Sequence, residues 1–257
     1  MTDRFAHVVL GNGPGLLLAH GAGGSIADNF RPVLGDLAAT HTVVGADYPG
    51  SGETPRDTEP LTLDGLADGL VAVADDAGLD RFTVLGYSMG TAVAVRLTTR
   101  HPDRVNGLVL TSGLARPDHR VSLLADVWRG LLDGDRTTLA KFLIAVAVGS
   151  AYLDSLDREG LDDLAEFIGD LVPEGTADHL DLLATVDTRA ELPRVGVPTL
   201  VVATTDDLLT PPHLSRELAA GIPGAELMEI AAGHSVTMER TREWLATVRP
   251  FLARLSP

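Results

Sequence analysis

The segment that most constrains the fold of this chain is residues 81–100, where an apolar run passes into a helical pattern with almost no loop. Residues 82–85 form a short apolar run that includes β-branched side chains, which is typical of a buried strand. Residues 91–100 carry small and apolar side chains on one side, which predicts a helix. The five residues between them read Gly-Tyr-Ser-Met-Gly. A chain that passes from strand to helix over five residues must turn sharply.

Ser88 lies at the tip of this predicted turn. A sharp strand-to-helix turn holds its central residue in a strained backbone conformation and displays the side chain. Gly86 and Gly90 leave room where a Cβ atom would collide with neighbouring backbone. The hydroxyl also lies at a helix N-terminus, where free N–H groups favour developing negative charge. Because Gly-x-Ser-x-Gly also occurs in ordinary turns, a nucleophilic role for Ser88 requires a base, an acid and an oxyanion site elsewhere in the chain.

Composition excludes several classes of protein. The chain has 257 residues, 45% of them hydrophobic, which is enough for one large domain or for a domain with an insertion. It has no cysteine, and therefore no disulfide, no thiolate metal ligand and no cysteine nucleophile. Its formal net charge of −16 disfavours nucleic-acid binding, which needs a basic surface.

The hydropathy pattern along the chain indicates in which cellular compartment the protein is expected. The longest apolar runs have the length of strands and are far too short to span a membrane. The first ten residues have no basic region followed by a long apolar segment, so we expect no signal peptide. These patterns predict a cytoplasmic protein without a membrane or nucleic-acid partner. The sequence leaves the oligomeric state open.

The order of apolar patterns predicts an α/β fold with a mostly parallel, twisted sheet and helices on both faces. The predicted strands are residues 5–10, 16–19, 41–46, 82–85, 105–110, 199–203 and 226–230. Predicted helices begin near residue 28 and cover residues 62–77, 91–100, 212–220 and 236–255. Between residues 116 and 190 only helical patterns occur, at 121–132, 137–148, 161–171 and 177–186. We therefore predict a core domain of residues 1–115 and 193–257, interrupted by an all-helical cap insertion of residues 116–192.

Two further chemical groups follow strands of this predicted sheet. Asp206 and Asp207 come after the strand at 199–203, and His234 comes after the strand at 226–230. In a parallel sheet, the loops at the carboxyl ends of the strands gather at one edge, so Ser88, one aspartate and His234 should meet there. The chain order serine, aspartate, histidine is the order expected for a nucleophile-elbow fold. The residues alone leave the choice between the two aspartates open.

Five motifs together give this chain a specific resemblance. They are residues 20–24 (His-Gly-Ala-Gly-Gly), residues 47–52 (Asp-Tyr-Pro-Gly-Ser-Gly), residues 86–90, Asp207 with Pro211 four residues later, and Gly233 with His234. With these motifs the chain resembles the α/β-hydrolase superfamily over nearly its whole length. Relatives often carry a glycine three residues before the acid, where this chain has Thr204.

The resemblance implies a set of roles. Ser88 would be the nucleophile, His234 the base and Asp207 the acid that orients it. The oxyanion donors would be the backbone N–H groups of Ala22 and Met89, and helices would cap the pocket. Three aromatic residues of the predicted cap are candidates for contact with substrate: Trp128, Phe142 and Tyr152.

The expected activity is hydrolysis of an ester, thioester or lactone through an acyl-enzyme, with a small to medium apolar substrate. No cofactor or metal is implied. One alternative is hydrolysis of a carbon–carbon bond, or a biosynthetic acyl-transfer or cyclisation step, with the same three side chains. Another is a ligand-binding protein on this scaffold in which the serine is silent, because fold does not fix function.

Overall fold

The computed structural model describes residues 5–255 and is built on one seven-stranded sheet. The strands are β1 (His7–Leu10), β2 (Gly15–Ala19), β3 (Thr42–Ala46), β4 (Phe82–Tyr87), β5 (Val105–Thr111), β6 (Thr199–Thr204) and β7 (Glu226–Ile230). Their order across the sheet is β1-β3-β2-β4-β5-β6-β7. Strand β1 pairs antiparallel with β3, and the other pairs are parallel. The predicted mostly parallel sheet is confirmed.

Eleven α-helices accompany the sheet in the described residues. They are α1 (Ile26–Ala38), α2 (Leu63–Asp76), α3 (Gly90–Arg100), α4 (His119–Leu131), α5 (Arg136–Ala147), α6 (Ser150–Leu153), α7 (Arg158–Leu171), α8 (Thr176–Thr185), α9 (Pro212–Gly221), α10 (Val236–Glu239) and α11 (Thr241–Leu255). Short 3-10 turns cover Pro102–Arg104 and Leu192–Arg194.

Helices cover both faces of the sheet because successive side chains of a strand point to opposite sides. In β2, Leu17 joins the apolar cluster formed with α2, α3 and α9. Its neighbours Leu16 and Leu18 join the cluster formed with α1 and α11 on the other face. All five residues of β2 are buried, as expected for a parallel strand covered on both faces.

Helices α4–α8 lie between β5 and β6, where the sequence predicts an all-helical insertion. The four long helical patterns are present, and the short helix α6 was not predicted. Apolar side chains from this helical insertion, among them Leu139 and Leu183, join the same cluster as the sheet. A smaller cluster belongs mainly to the insertion and contains Ala140, Ile144, Val148 and Ala165. The boundaries at residues 116 and 192 remain a prediction.

The last predicted helix differs from the structure. Residues 236–255 form two helices, because the backbone of Arg240 leaves the helical region with φ −135° and ψ 44°. Val236 of α10 and Trp244 of α11 still pack in the same cluster against the sheet. The break therefore changes the direction of the chain while both helices stay on the core. Within residues 5–255 no helix is long and apolar enough to cross a bilayer.

Candidate active site at the carboxyl edge of the sheet

The turn between β4 and α3 has the sharp geometry that its glycines predict. Ser88 has φ 56°, a left-handed value that non-glycine residues rarely adopt. A Cβ atom at Gly86 would lie 2.6 Å from the carbonyl oxygen of Gly90. One at Gly90 would lie 2.1 Å from the carbonyl oxygen of Ala19. The glycines are therefore required by close approach of backbone, and the strained serine is partly exposed at the carboxyl end of β4.

Asp207 and His234 meet at the same edge of the sheet. His234 Nδ1 lies 2.8 Å from Asp207 Oδ2, and the Asp207 side chain is fully buried. The other carboxylate oxygen, Oδ1, accepts the backbone N–H groups of Leu209 and Thr210 at 2.9 and 2.8 Å. The hydroxyls of Thr204 and Thr210 donate to Oδ2 at 3.0 and 2.9 Å. Donors surround this carboxylate on both oxygens, which stabilises its charge inside the protein.

The neighbouring aspartate, Asp206, does not contact His234. Asp206 is exposed, and its backbone N–H donates to the carbonyl oxygen of Ala232. Its side chain contacts the hydroxyl of Thr205 at 3.4 Å. Of the two candidates, the structure brings only Asp207 to His234. Thr204, the departure from the glycine found in many relatives, supplies one of the hydroxyls on Asp207 and also bonds Ser112 Oγ at 3.0 Å.

Ser88 and His234 line one cavity at this edge. Because Asp207 accepts the Nδ1 proton of His234, the nitrogen left to face a nucleophile is Nε2. Among the described residues, no hydrogen bond joins Ser88 Oγ to His234. Such contacts are often long without substrate and tighten in the Michaelis complex.

Two backbone N–H groups beside Ser88 have no acceptor in the described part of the chain. They belong to Ala22, which lines the cavity, and to Met89, which immediately precedes α3. Gly21 brings the loop of Ala22 against the elbow, since a Cβ atom at Gly21 would lie 2.9 Å from Ser88 Cβ. The two N–H groups that the resemblance assigns to an oxyanion hole therefore lie in residues next to the serine.

The loop at residues 20–24 is supported by a neutral, fully buried histidine. The N–H of Tyr48 donates to His20 Nε2 at 2.9 Å, so the ring proton is on Nδ1 and is donated to the carbonyl oxygen of Gly21 at 2.8 Å. Burial, helped by the nearby His179, lowers the pKa of His20 to about 3. His20 therefore supports the loop as an uncharged group and is not a second base.

His179 of α8 supports the same loop from the helical insertion. The N–H of Gly23 donates to His179 Nδ1 at 3.1 Å, and Nε2 donates to the carbonyl oxygen of Pro49 at 3.0 Å. Burial lowers the pKa of this imidazole as well. Sequence analysis did not predict this role, because the partners of His179 are more than 100 residues away in the chain.

The cavity has a volume of about 180 Å³ and is mostly apolar. An apolar cavity of about 150 Å³ can hold benzene, so a group of similar size fits. The helical insertion supplies much of the wall: Val121, Ala125, Trp128, Leu143, Ile144, Ala147, Val148, Phe167, Ile168, Leu171, Val172, Leu180 and Leu183. Asp28 and His234 are its titratable wall residues among those described, apart from the phenol of Tyr87.

The three aromatic candidates for substrate contact lie in different surroundings. Trp128 lines the cavity and packs on the loop of residues 20–24, where a Cβ atom at Gly23 would lie 2.4 Å from its ring. Phe142 and Tyr152 lie outside the cavity wall, which corrects their expected placement. Phe142 packs against the main core and Tyr152 against the small cluster of the insertion. A helical stripe predicts that a side chain is buried, but it does not tell which of two apolar surfaces it meets.

Tyr87, the residue before the serine, also belongs to the site. Its hydroxyl donates to the carbonyl oxygen of His234, and its ring packs edge-on against the imidazole with centroids 5.7 Å apart. Burial raises the pKa of this phenol well above its usual value. Thr210 likewise lies 3.0 Å from His234 Nδ1. Sequence analysis missed both residues, since neither tyrosine nor threonine carries a motif of its own here.

Comparison with known proteins agrees with this geometry. The chain is 28% identical over 251 residues to pyrrolizixenacetamide deacetylase of Xenorhabdus hominickii, which covers 97% of this chain and 94% of the relative. It is 30% identical over 244 residues to a pimeloyl-(acyl-carrier protein) methyl ester esterase of Neisseria meningitidis, which covers 91% of each chain. The crystal structure of the enol-lactonase of Burkholderia xenovorans LB400 superposes with a TM-score of 0.84 at 27% identity, over 97% of this chain and 96% of that one.

A family model for the alpha/beta hydrolase fold matches residues 14–241, a span that contains the elbow serine, the buried aspartate and the histidine paired with it. With the parallel sheet and the hydrolases among its relatives, this match makes the chain an enzyme and a member of the α/β-hydrolase family.

Proposed function

We propose that the protein hydrolyses a small to medium, neutral acyl ester, thioester or lactone through an acyl-enzyme on Ser88. The observation that carries the proposal is the bond between His234 and the buried Asp207, together with the apolar cavity that His234 and Ser88 both line. Serine at its ordinary pKa is a weak nucleophile and needs a base within hydrogen-bond reach. Histidine can take that proton and return it near neutral pH.

The proposed reaction proceeds in two halves. Ser88 Oγ attacks the substrate carbonyl carbon while His234 Nε2 takes its proton, and Asp207 stabilises the imidazolium. The N–H groups of Ala22 and Met89 donate to the tetrahedral oxyanion and contribute about 3–4 kcal/mol each, by analogy with other hydrolases. Collapse breaks the bond to the leaving oxygen or sulfur, which takes the proton from His234. Water then attacks the acyl-enzyme with the same base and restores the serine.

The wall of the cavity supports the choice of substrate class. It presents apolar side chains from the helical insertion and no lysine or arginine among the described lining residues. A free carboxylate or phosphate on the substrate would lose its hydration there without a cation to pair with. The relatives named for ester, lactone and amide substrates have in common an acyl carbonyl, which is the group that this site would attack.

A panel of p-nitrophenyl and thioester substrates of increasing acyl length tests the proposal. We expect kcat/KM to be highest for short to medium neutral acyl groups and to fall as the chain exceeds the cavity. Ser88→Ala is the matched control and should hydrolyse none of them above background. A polyanionic acyl-CoA that reacts tens of times faster than neutral esters would contradict the assigned substrate class. Hydrolysis of the carbon–carbon bond of a β-diketone at a higher kcat/KM than any ester would favour the alternative reaction.

A further inference from the structure

Glu239, the last residue of α10, is buried and holds two distant segments together. Its Oε2 accepts the backbone N–H of Gly233 at 2.9 Å and that of Gly149 at 3.1 Å. Gly233 directly precedes the proposed base, and Gly149 lies in the helical insertion between α5 and α6. One carboxyl oxygen has two lone pairs and can accept both bonds. Glu239 therefore connects the loop of the base to the wall of the cavity.

The residue after the base is connected in the same way. The N–H of Ser235 donates to the carbonyl oxygen of Ala147 at 3.1 Å, and Ala147 lines the cavity. The two segments touch so closely that a Cβ atom at Gly233 would lie 2.3 Å from the backbone nitrogen of Gly149. Ser235 is thus bonded directly to a residue of the helical insertion, and Gly233 is connected to the insertion through Glu239.

Burial of the Glu239 carboxyl is energetically unfavourable, so its two hydrogen bonds call for an explanation. Its Oε1 is buried without a hydrogen-bond partner in the described residues. Burial raises the pKa of this carboxyl, although the two N–H donors oppose the change. An unsatisfied buried polar atom is destabilising, because it has lost its hydrogen bonds to water without gaining others. A substitution by an apolar side chain would remove that cost but would leave the N–H groups of Gly149 and Gly233 without an acceptor.

We propose that Glu239 is a positioning residue that fixes the proposed base His234 relative to the helical insertion. The imidazole and the cavity wall then keep a constant position relative to each other. Glu239 is not among the residues that line the cavity, and it acts through the two glycine N–H groups. The inference rests on the proposed role of His234 as the base.

The test compares variants by the rate at which a fluorophosphonate labels Ser88, because that rate reports nucleophile activation with little demand on the acyl pocket. In Glu239→Ala we expect labelling to slow by about 10²-fold, the order of loss that a small misplacement of a catalytic group causes. In Glu239→Gln we expect a rate within about a factor of three of the wild type, because the amide oxygen can accept both bonds. Equal losses in the two variants would contradict the hydrogen-bond role.

A second perturbation reaches the same contact without changing Glu239. A Cβ atom in Gly149→Ala would lie 2.6 Å from Glu239 Oε2 and 2.8 Å from the backbone nitrogen of Gly233, so it would disturb both ends of the bond between them. One in Gly130→Ala would meet nothing within 4 Å. We expect Gly149→Ala to slow labelling of the folded protein and Gly130→Ala to leave it unchanged. Unchanged labelling in both would overturn the proposal even if Glu239→Ala failed to fold.

The proton on His234 Nδ1 provides a readout that does not need turnover. Its NMR signal, shifted downfield by the bond to Asp207, should be sharp in the wild type and in Glu239→Gln. We expect it to broaden or vanish in Gly149→Ala, because the ring loses its fixed orientation. A sharp signal there would show that Glu239 serves stability alone. Wild-type protein that resists labelling would contradict the proposed function, and this signal would still decide the positioning role.

Discussion

Asp207→Asn is expected to reduce kcat by about 10³–10⁴-fold, equivalent to about 4–5.5 kcal/mol of transition-state stabilisation. The structure fixes how the new amide would lie. The two N–H groups of Leu209 and Thr210 can only donate, so the amide must place its oxygen at the position of Oδ1. Its NH₂ group then takes the place of Oδ2 and faces His234 Nδ1, which lies 2.8 Å from that position.

This arrangement reverses the hydrogen bond to the imidazole. A donor opposite Nδ1 forces that nitrogen to accept, so the ring proton moves to Nε2, and Nε2 can no longer take the proton of Ser88. The loss is therefore expected in kcat and in kcat/KM alike, since the interaction is needed only in the transition state.

The assay compares Asp207→Asn with Asp206→Asn on one activated ester, with circular dichroism to check that both variants are folded. Asp206 is exposed and carries no bond to the base, so Asp206→Asn should cost less than about tenfold. A severe loss in Asp206→Asn beside a mild one in Asp207→Asn would refute the assignment of the acid.

Three further predictions follow from the site. Ser88→Ala and His234→Ala should each lower kcat by several orders of magnitude, and the double variant should be scarcely worse, because the two groups act as a unit; additive losses measured by steady-state kinetics would contradict this. Gly21→Ala should lower kcat, because its Cβ atom would lie 2.9 Å from Ser88 Cβ, whereas Gly35→Ala on α1 meets nothing within 4 Å and should leave kcat unchanged. The depressed pKa of His20 means that the unfolded chain binds one more proton between pH 6.5 and about 3, so stability should fall as the pH drops through that window. In urea titrations, His20→Gln should reduce that slope by up to about 1.4 kcal/mol per pH unit, and an unchanged slope would show that the histidine is not buried in its neutral form.

Local patterns predicted the elbow well because its requirements are local. A strand, a helix and two glycines four residues apart leave the backbone only one path through the turn, and the positive φ of Ser88 follows from it. The meeting of Asp207 and His234 was predictable from topology, since both follow strands whose carboxyl ends share one edge. Neither step requires knowledge of side chains far away in the sequence.

The rest of the site depends on contacts between distant segments. Thr204 and Thr210 orient the carboxylate, yet a threonine after a strand is compatible with many roles. Phe142 and Tyr152 have the spacing of buried residues, but packing of the insertion decides which surface they meet. The break at the end of α10 coincides with Glu239, whose partner Gly149 lies 90 residues earlier in the chain.

The most direct test of the proposed mechanism is intact-protein mass spectrometry of the enzyme quenched within its first turnover of an activated ester, followed by peptide mapping. We predict one acyl group per chain, located on Ser88, that disappears as substrate is exhausted and never forms in Ser88→Ala. Turnover without any covalent adduct, or an adduct on another residue with Ser88→Ala still active, would contradict the acyl-enzyme mechanism.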